Sequence, residues 1–228
     1  MKKLLFILAF AGMFSLSQAQ TDTYFISGTE MIFSFADINY DKGDVSNPVR
    51  WAPVINLQGH WNADFSKSFG VYTGLGFRNV GYIMDNYQME DGSLAKKKFR
   101  TYNLGIPFGL KLGKLDKAFV YGGYEIELPF HYKEKTFQND EKISKKTAFF
   151  SDRVEQFQQA VFVGVQLPGG ANVKFKYYLT EFHNQGKIES GGFKPYEGLT
   201  TNVMYVSLTF NMFKGKDFQY SSENSEYY

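Results

Sequence analysis

The sequence predicts an all-β protein: a single eight-stranded antiparallel up-and-down transmembrane β-barrel that follows a cleaved signal peptide. Three observations carry this reading. Aromatic residues make up 18% of the 228-residue chain and 22 glycines punctuate it, a composition typical of many-stranded β proteins. Large apolar residues alternate with small or polar ones in segment after segment, and strands send successive side chains to opposite faces. The connections between these segments alternate long, short, long, short, long, short, long, the asymmetry of transmembrane barrels with short periplasmic turns and long outer loops.

Residues 102–112 show the pattern most plainly. Tyr102, Leu104, Ile106, Phe108, Leu110 and Leu112 fall on one face, and Asn103, Gly105, Pro107, Gly109 and Lys111 on the other. The segment has the length of about 9–11 residues that a tilted strand needs to cross a hydrocarbon core. The mean hydropathy of −0.32 and the lack of a long apolar run after residue 19 argue against a transmembrane helix.

Residues 1–19 predict an export signal, with Lys2 and Lys3 before an apolar stretch at 4–14 and a Ser17-Gln18-Ala19 cleavage site. No cysteine is present, which removes disulfides, thiolate metal ligands and a lipoprotein anchor from consideration. Cleavage takes two lysines and no acids, leaving 23 basic and 23 acidic residues. That balance gives no field to gather nucleic acid. The barrel is expected over 20–213 and a polar tail over 214–228.

In order, the first strand spans 24–37, with Met31, Phe33 and Phe35 opposite Glu30, Ser34 and Ala36; 39–48 is a turn-rich loop. The second spans 49–65, with Trp51, Ile55, Leu57, Trp61 and Phe65 opposite Arg50, Asn56, Gln58, His60, Asn62 and Asp64. Trp51 and Trp61 are placed at the two membrane interfaces, where amphipathic rings settle. The third strand spans 69–84 and a polar loop 85–97; the fourth begins near Phe99.

The fifth spans 118–133, setting Val120, Tyr124, Ile126, Leu128, Phe130 and Tyr132 against Tyr121, Gly123, Glu125, Glu127 and His131. A charged loop is expected at 134–152, the sixth strand at 153–167 and the seventh at 171–182. A Gly-rich loop follows at 184–199, then the eighth strand at 201–213.

Alternation alone does not say which face is outside, and a soluble lipocalin-like barrel has the same period. Bulk decides. An eight-stranded barrel is just wide enough to be filled by side chains. The polar faces carry Gly, Asn, Gln, Ser and Thr, which suit a narrow lumen, whereas the Phe, Leu, Ile, Tyr and Trp of the other face do not fit inside. Arg50, Lys111, Lys174 and Lys176 then face Glu125, Glu127 and Asp64 as a lumen charge network, each charge needing a partner once buried.

The signal, the eight alternating strands, YNLGIPFGLKLG at 102–113 and VMYVSLTFNMF at 203–213 resemble the PorT-like outer-membrane β-barrel family of bacterial envelope proteins. The resemblance spans the whole mature chain. It implies an integral outer-membrane protein, and a few members are tied to secretion.

Chemistry-bearing groups are sparse. His131 and His183 lie near the outer ends of their strands, and Glu181 is the carboxylate that would have to join them in a metal site; ordinary rim histidines are the simpler reading. Glu125 and Glu127 share a face at a spacing of about 6–7 Å, compatible with acid–base work, yet inward salt bridges to Lys111, Lys174 or Arg100 explain them better. Lys96 to Lys98 and Lys145-Lys146 would meet lipopolysaccharide phosphates or simply be solvated.

No catalytic, cofactor-binding or metal residue is assigned. The expected role is a non-enzymatic, monomeric, structural or interaction protein of the outer membrane, contacting its lipid and meeting envelope proteins through loops or termini. A small-solute channel is the alternative, and a lipid-modifying enzyme or soluble binding barrel the next.

Overall fold

The computed structural model describes residues 21–89, 91–189 and 191–210. The predicted signal peptide, the tail and the last three residues of the predicted eighth strand lie outside them. All regular structure is antiparallel β: β1 (Asp22–Thr29), β2 (Met31–Tyr40), β3 (Arg50–Ala52), β4 (Leu57–Asp64), β5 (Phe69–Gln88), β6 (Leu94–Lys114), β7 (Ala118–Gln138), β8 (Glu141–Phe149), β9 (Gln158–Gln166), β10 (Ala171–Tyr178) and β11 (Leu199–Phe210). They form one sheet in the order β1-β4-β5-β6-β7-β9-β10-β11-β2-β3, with β8 paired to β7 off that path.

Eleven segments stand where eight strands were expected, for identifiable reasons. β1 and β2 are separated by Glu30 alone, and the alternation runs unbroken through it: Ile26, Glu30, Ile32, Ser34 and Ala36 are all buried. β1 pairs with β4, while β2 pairs with β3 on one side and β11 on the other. β3 and β4 are split by residues 53–56. Pro53 supplies no ladder N–H, and Ile55 sits at φ 65°, uncommon for a β-branched residue.

Asn56 repairs the gap. Its Nδ2 donates to the carbonyls of Ala52 (2.8 Å) and Glu30 (3.1 Å), and its Oδ1 accepts from the Asn79 N–H at 2.8 Å.

The loop end departs most from expectation. Two predicted loops, 85–97 and 134–152, are largely strand. β5 runs on to Gln88 and β6 begins at Leu94, while β7 turns through Asn139 and Asp140, both at positive φ (49° and 64°), into β8. Two consecutive positive φ values are the signature of a type I′ hairpin turn. These extensions lack the apolar outer face of residues such as 102–112, which is why charge made them read as loops.

A bulge also reverses one face. Asn103 pairs with Pro129 but Tyr102 with His131, so Phe130 is extra. Beyond it Tyr132 is buried, against the expectation that it points outward, and His131 moves to the outer face. The sixth and seventh strands are shorter than predicted, β9 beginning at Gln158 and β10 ending at Tyr178.

The sheet curls so that buried side chains of strands far apart in its order meet. The outer face is apolar: Phe25, Leu57, Trp61, Leu75, Leu104, Ile106, Phe108, Leu110, Val120 and Val163 are all exposed, Trp51 at 63% and Trp61 at 55%. The inner face is layered. Ile26, Tyr72, Phe119, Tyr121 and Phe162 cluster toward the short turns. A larger group that includes Tyr82, Phe99, Tyr132, Tyr178, Phe182 and Tyr205 fills the loop end. Charged residues lie between.

Asn56→Ala leaves one N–H and two carbonyls short of a partner in the interior. We expect a loss of about 2 kcal/mol, read as a lowered urea midpoint of the detergent-solubilised protein with an unchanged slope.

Candidate functional site

The charged layer is the most developed polar constellation in the molecule. Arg78 on β5 lies at its centre, its Nε 2.6 Å from Glu30 and its Nη1 against Glu125 and 3.4 Å from Glu127. Lys174 reaches Glu30 at 2.8 Å, and Lys176 reaches Glu125 at 2.7 Å and also contacts Glu127. Three cations thus meet three carboxylates, all of them buried.

Neutral groups complete the shell. Glu127 accepts from Asn103 Nδ2 and from the Tyr178 hydroxyl, both at 2.7 Å, and Glu30 accepts from Ser207 at 2.9 Å. Asn103 also donates to Gln158 (2.9 Å), and Arg78 to Gln58 (3.4 Å).

The contributors come from around the whole sheet: Glu30 between β1 and β2, Gln58 on β4, Arg78 on β5, Asn103 on β6, Glu125 and Glu127 on β7. Gln158 on β9, Lys174, Lys176 and Tyr178 on β10, and Ser207 on β11 complete the set. Glycine makes room for it. A Cβ at Gly76 would collide with the Arg78 guanidinium, and one at Gly105 with the Glu125 carboxylate.

Of the residues named from sequence, Glu125, Glu127, Lys174 and Lys176 are brought together here. Lys111 forms a separate pair with Asp64 at 2.6 Å, nearer the short turns, and donates to Asn62 at 2.9 Å. Arg50 stands apart: it bonds the Asn79 carbonyl at 3.2 Å and the Asn79 side chain, with no carboxylate among the described residues. Arg100 is on the outer face and does not meet the glutamates.

Glu30 and Arg78, which join the layer's halves, were not placed in the network from sequence. Glu30 lies on the polar face expected of it, but which inward charges converge is not encoded in any local spacing.

The two rim histidines do not converge. His131 stacks outside between Tyr102 (5.4 Å) and Phe149 (4.6 Å). His183 is buried inside, stacked on Tyr196 at 4.0 Å and bonded to the Tyr82 hydroxyl at 2.8 Å. Among the described residues no group of three metal-ligating side chains forms. Burial pushes the His183 imidazole down to about 3, with the nearby Glu134 carboxylate opposing that and Lys97 and Arg153 adding to it.

Two outcomes follow. Arg78→Met leaves three buried carboxylates to the two cations Lys174 and Lys176 and should cost about 3–5 kcal/mol, whereas Gln58→Ala should cost far less; urea unfolding compares them. His183 binds its proton more weakly folded (about 3) than unfolded (about 6.5). Its stabilisation is therefore complete above pH ~6.5 and lost as pH falls toward 3. The protection factors of amides at 179–203, taken relative to the intrinsic exchange rate at each pH, should fall between pH 7.5 and 5, and His183→Phe should flatten that fall.

No protein-family profile and no curated protein matches the chain. Solved structures resemble its path at low identity. Ail, the attachment invasion locus protein of Yersinia pestis, solved with the heparin analogue sucrose octasulfate, is 10% identical, with 82% of this chain and 97% of that one covered at TM-score 0.39. The outer membrane protein OprG from Pseudomonas aeruginosa is 12% identical over 82% and 93% at 0.38. Neisserial surface protein A is 10% identical over 83% and 99% at 0.36.

Proposed function

We propose that the chain is an integral outer-membrane β-barrel of eight strands, plugged along its axis, that acts through its outer surface and long hairpins rather than by catalysis or conduction. The observation that carries this is the inverted burial: charges inside, large apolar side chains outside. An outer face of Leu, Ile, Phe, Val and Trp is costly in water and favourable in hydrocarbon. From Leu112 to Tyr102 the apolar stripe rises about 25 Å at a tilt near 40°, the height of the lipid-facing band of such barrels.

Counting β1 with β2 and β3 with β4, and setting aside β8, gives eight strands in the cycle. The β11–β2 ladder and the β1–β4 and β2–β3 ladders put neighbours on both sides of the first strand. Ser207 and Lys174 reach Glu30 from one side and Arg78 from the other, as closure requires. A closed sheet leaves no unpaired edge in lipid. The short turns then face the periplasm, and β5–β8 project beyond the outer leaflet.

The filled interior favours a structural or interaction role over a channel. Between His60, Tyr72, Arg78, Glu125, Phe162 and Lys174 the remaining gap is too small for a water molecule. The two aromatic layers close it from both ends. The likeness of 102–113 and 203–213 to PorT-like barrels supports an envelope function and rests on those residues alone.

Isolated outer membranes run unboiled and boiled on a detergent gel should give two mobilities, and planar-bilayer recordings should show no steady steps. Release into the soluble periplasmic fraction without a gel shift would reverse the faces, and large stable conductance would overturn the plugged lumen.

A further inference from the structure

Just above the apolar stripe, the outer face of β6, β7 and β8 carries cations directly opposite one another. The registers align Lys98 with Lys135 and Lys135 with Lys145, and, one step lower, Arg100 with Lys133. Like charges in directly opposed positions are destabilising. Among the described residues none of these five is ion-paired, although the intervening inward position, Lys97, is paired with Glu134 at 2.9 Å.

The few close contacts are uncharged: Lys98 lies over the Phe137 ring at 4.9 Å and Arg100 touches the Tyr102 hydroxyl at 3.3 Å. The Lys135 ammonium is held below its ordinary value, first by burial and then by Arg100, Lys133, Lys142 and Lys145.

These side chains border a hollow. Lys98, Arg100, Lys133 and Lys135 line a cavity of about 240 Å³ together with Arg50 and the exposed indole of Trp51. Immediately below, Phe77, Tyr102, His131 and Phe149 form an aromatic row with ring centroids 4.6–6.1 Å apart. Such rows mark the level of the headgroups. The hollow therefore lies where an outer-leaflet lipid presents its polar head.

We propose that this hollow binds the phosphates of a phosphorylated glycolipid of the outer leaflet. The cations neutralise the phosphates, the Trp51 face meets a sugar ring, and the acyl chains run down the apolar stripe. Anion binding removes the repulsion the cross-strand pairs impose. Phosphate gains most from arginine and lysine in just such a partly desolvated cluster. The inference rests on the membrane-barrel reading above and specifies its lipid partner.

The test uses the full chain, purified in neutral detergent and checked for the unboiled gel band. Native mass spectrometry then compares diphosphorylated lipid A with its dephosphorylated form. At least tenfold tighter binding of the phosphorylated form is expected, weakening as salt rises. Lys98→Gln with Lys135→Gln should reduce that affinity at least tenfold, and Lys133→Gln with Lys145→Gln should do likewise. Lys146→Gln with Lys187→Gln, at lysines that do not line the hollow, should change it less than twofold.

Without lipid, the Lys98/Lys135 double variant should unfold at a higher urea concentration than the wild type. Equal binding of both lipid forms, or variants without effect, would overturn the proposal while leaving a folded barrel intact. Tighter, residue-dependent binding of a heparin fragment would overturn it in favour of a soluble polyanion. Absence of the unboiled band in the wild type would instead remove the barrel reading itself.

Discussion

The ion cluster around Arg78 is the constraint on which the rest of the interior depends. A single buried guanidinium or carboxylate costs several kcal/mol unless its partners are in place. Here the partners come from strands that are remote in sequence: Glu30 precedes Arg78 by 48 residues and Lys174 follows Glu30 by 144. Every strand that supplies a member must therefore be in register before all of these charges are satisfied. A one-residue slip would put Glu125 and Glu127 on the exposed apolar face and an apolar row inside. Buried ion pairs add little net stability over a well-packed apolar core, but a shifted register here would leave these charges without partners.

Space for the cluster is made by omission. Gly76 and Gly105 flank Arg78 and Glu125 where any side chain would collide, and Gly109 and Gly164 give way in the same manner to the rings of Tyr72 and Tyr121. Large inward residues thus interlock with glycines on neighbouring strands. The Pro53–Asn56 interruption belongs to the same design. The ladder breaks beside Glu30, and Asn56 supplies the missing bonds, so the first strand bends there without leaving an interior polar group stranded.

On the membrane-barrel reading proposed above, the alternation that predicted the fold is legible because the outer face of a membrane strand has one permitted chemistry. Where hydrocarbon fixes that face, as from Tyr102 to Leu112, faces and boundaries follow from single residues. Above the headgroups the constraint lapses. Lys96, Lys98 and Arg100 alternate with Ala95, Lys97 and Phe99 on a continuous strand, yet they read as a polar loop because water accepts charge on the outer face. The His131 reversal had a visible cue in Pro129, whose missing N–H favours a bulge. The pairing of Arg78 with Glu30 had none, because which inward charges meet is a property of the curled sheet as a whole and not of any segment.

The same strands treat charge in two ways on their two faces. Along β6 and β7 the inward lysine at the loop end has its glutamate, Lys97 with Glu134, and the charged layer beneath matches three cations with three carboxylates. One position away on the outer face, Lys98, Arg100, Lys133 and Lys135 have no described carboxylate. A fold that pairs six charges in one interior layer has left this outer row to be neutralised from outside. Counterions in water would serve a flat, separated set of lysines, since exposed charges are screened within about 8 Å at physiological salt. They serve a row lining a hollow with an indole and a phenyl ring less well, because burial there already disfavours the Lys135 charge. A fixed anion at headgroup height resolves both the repulsion across the strands and that loss of hydration.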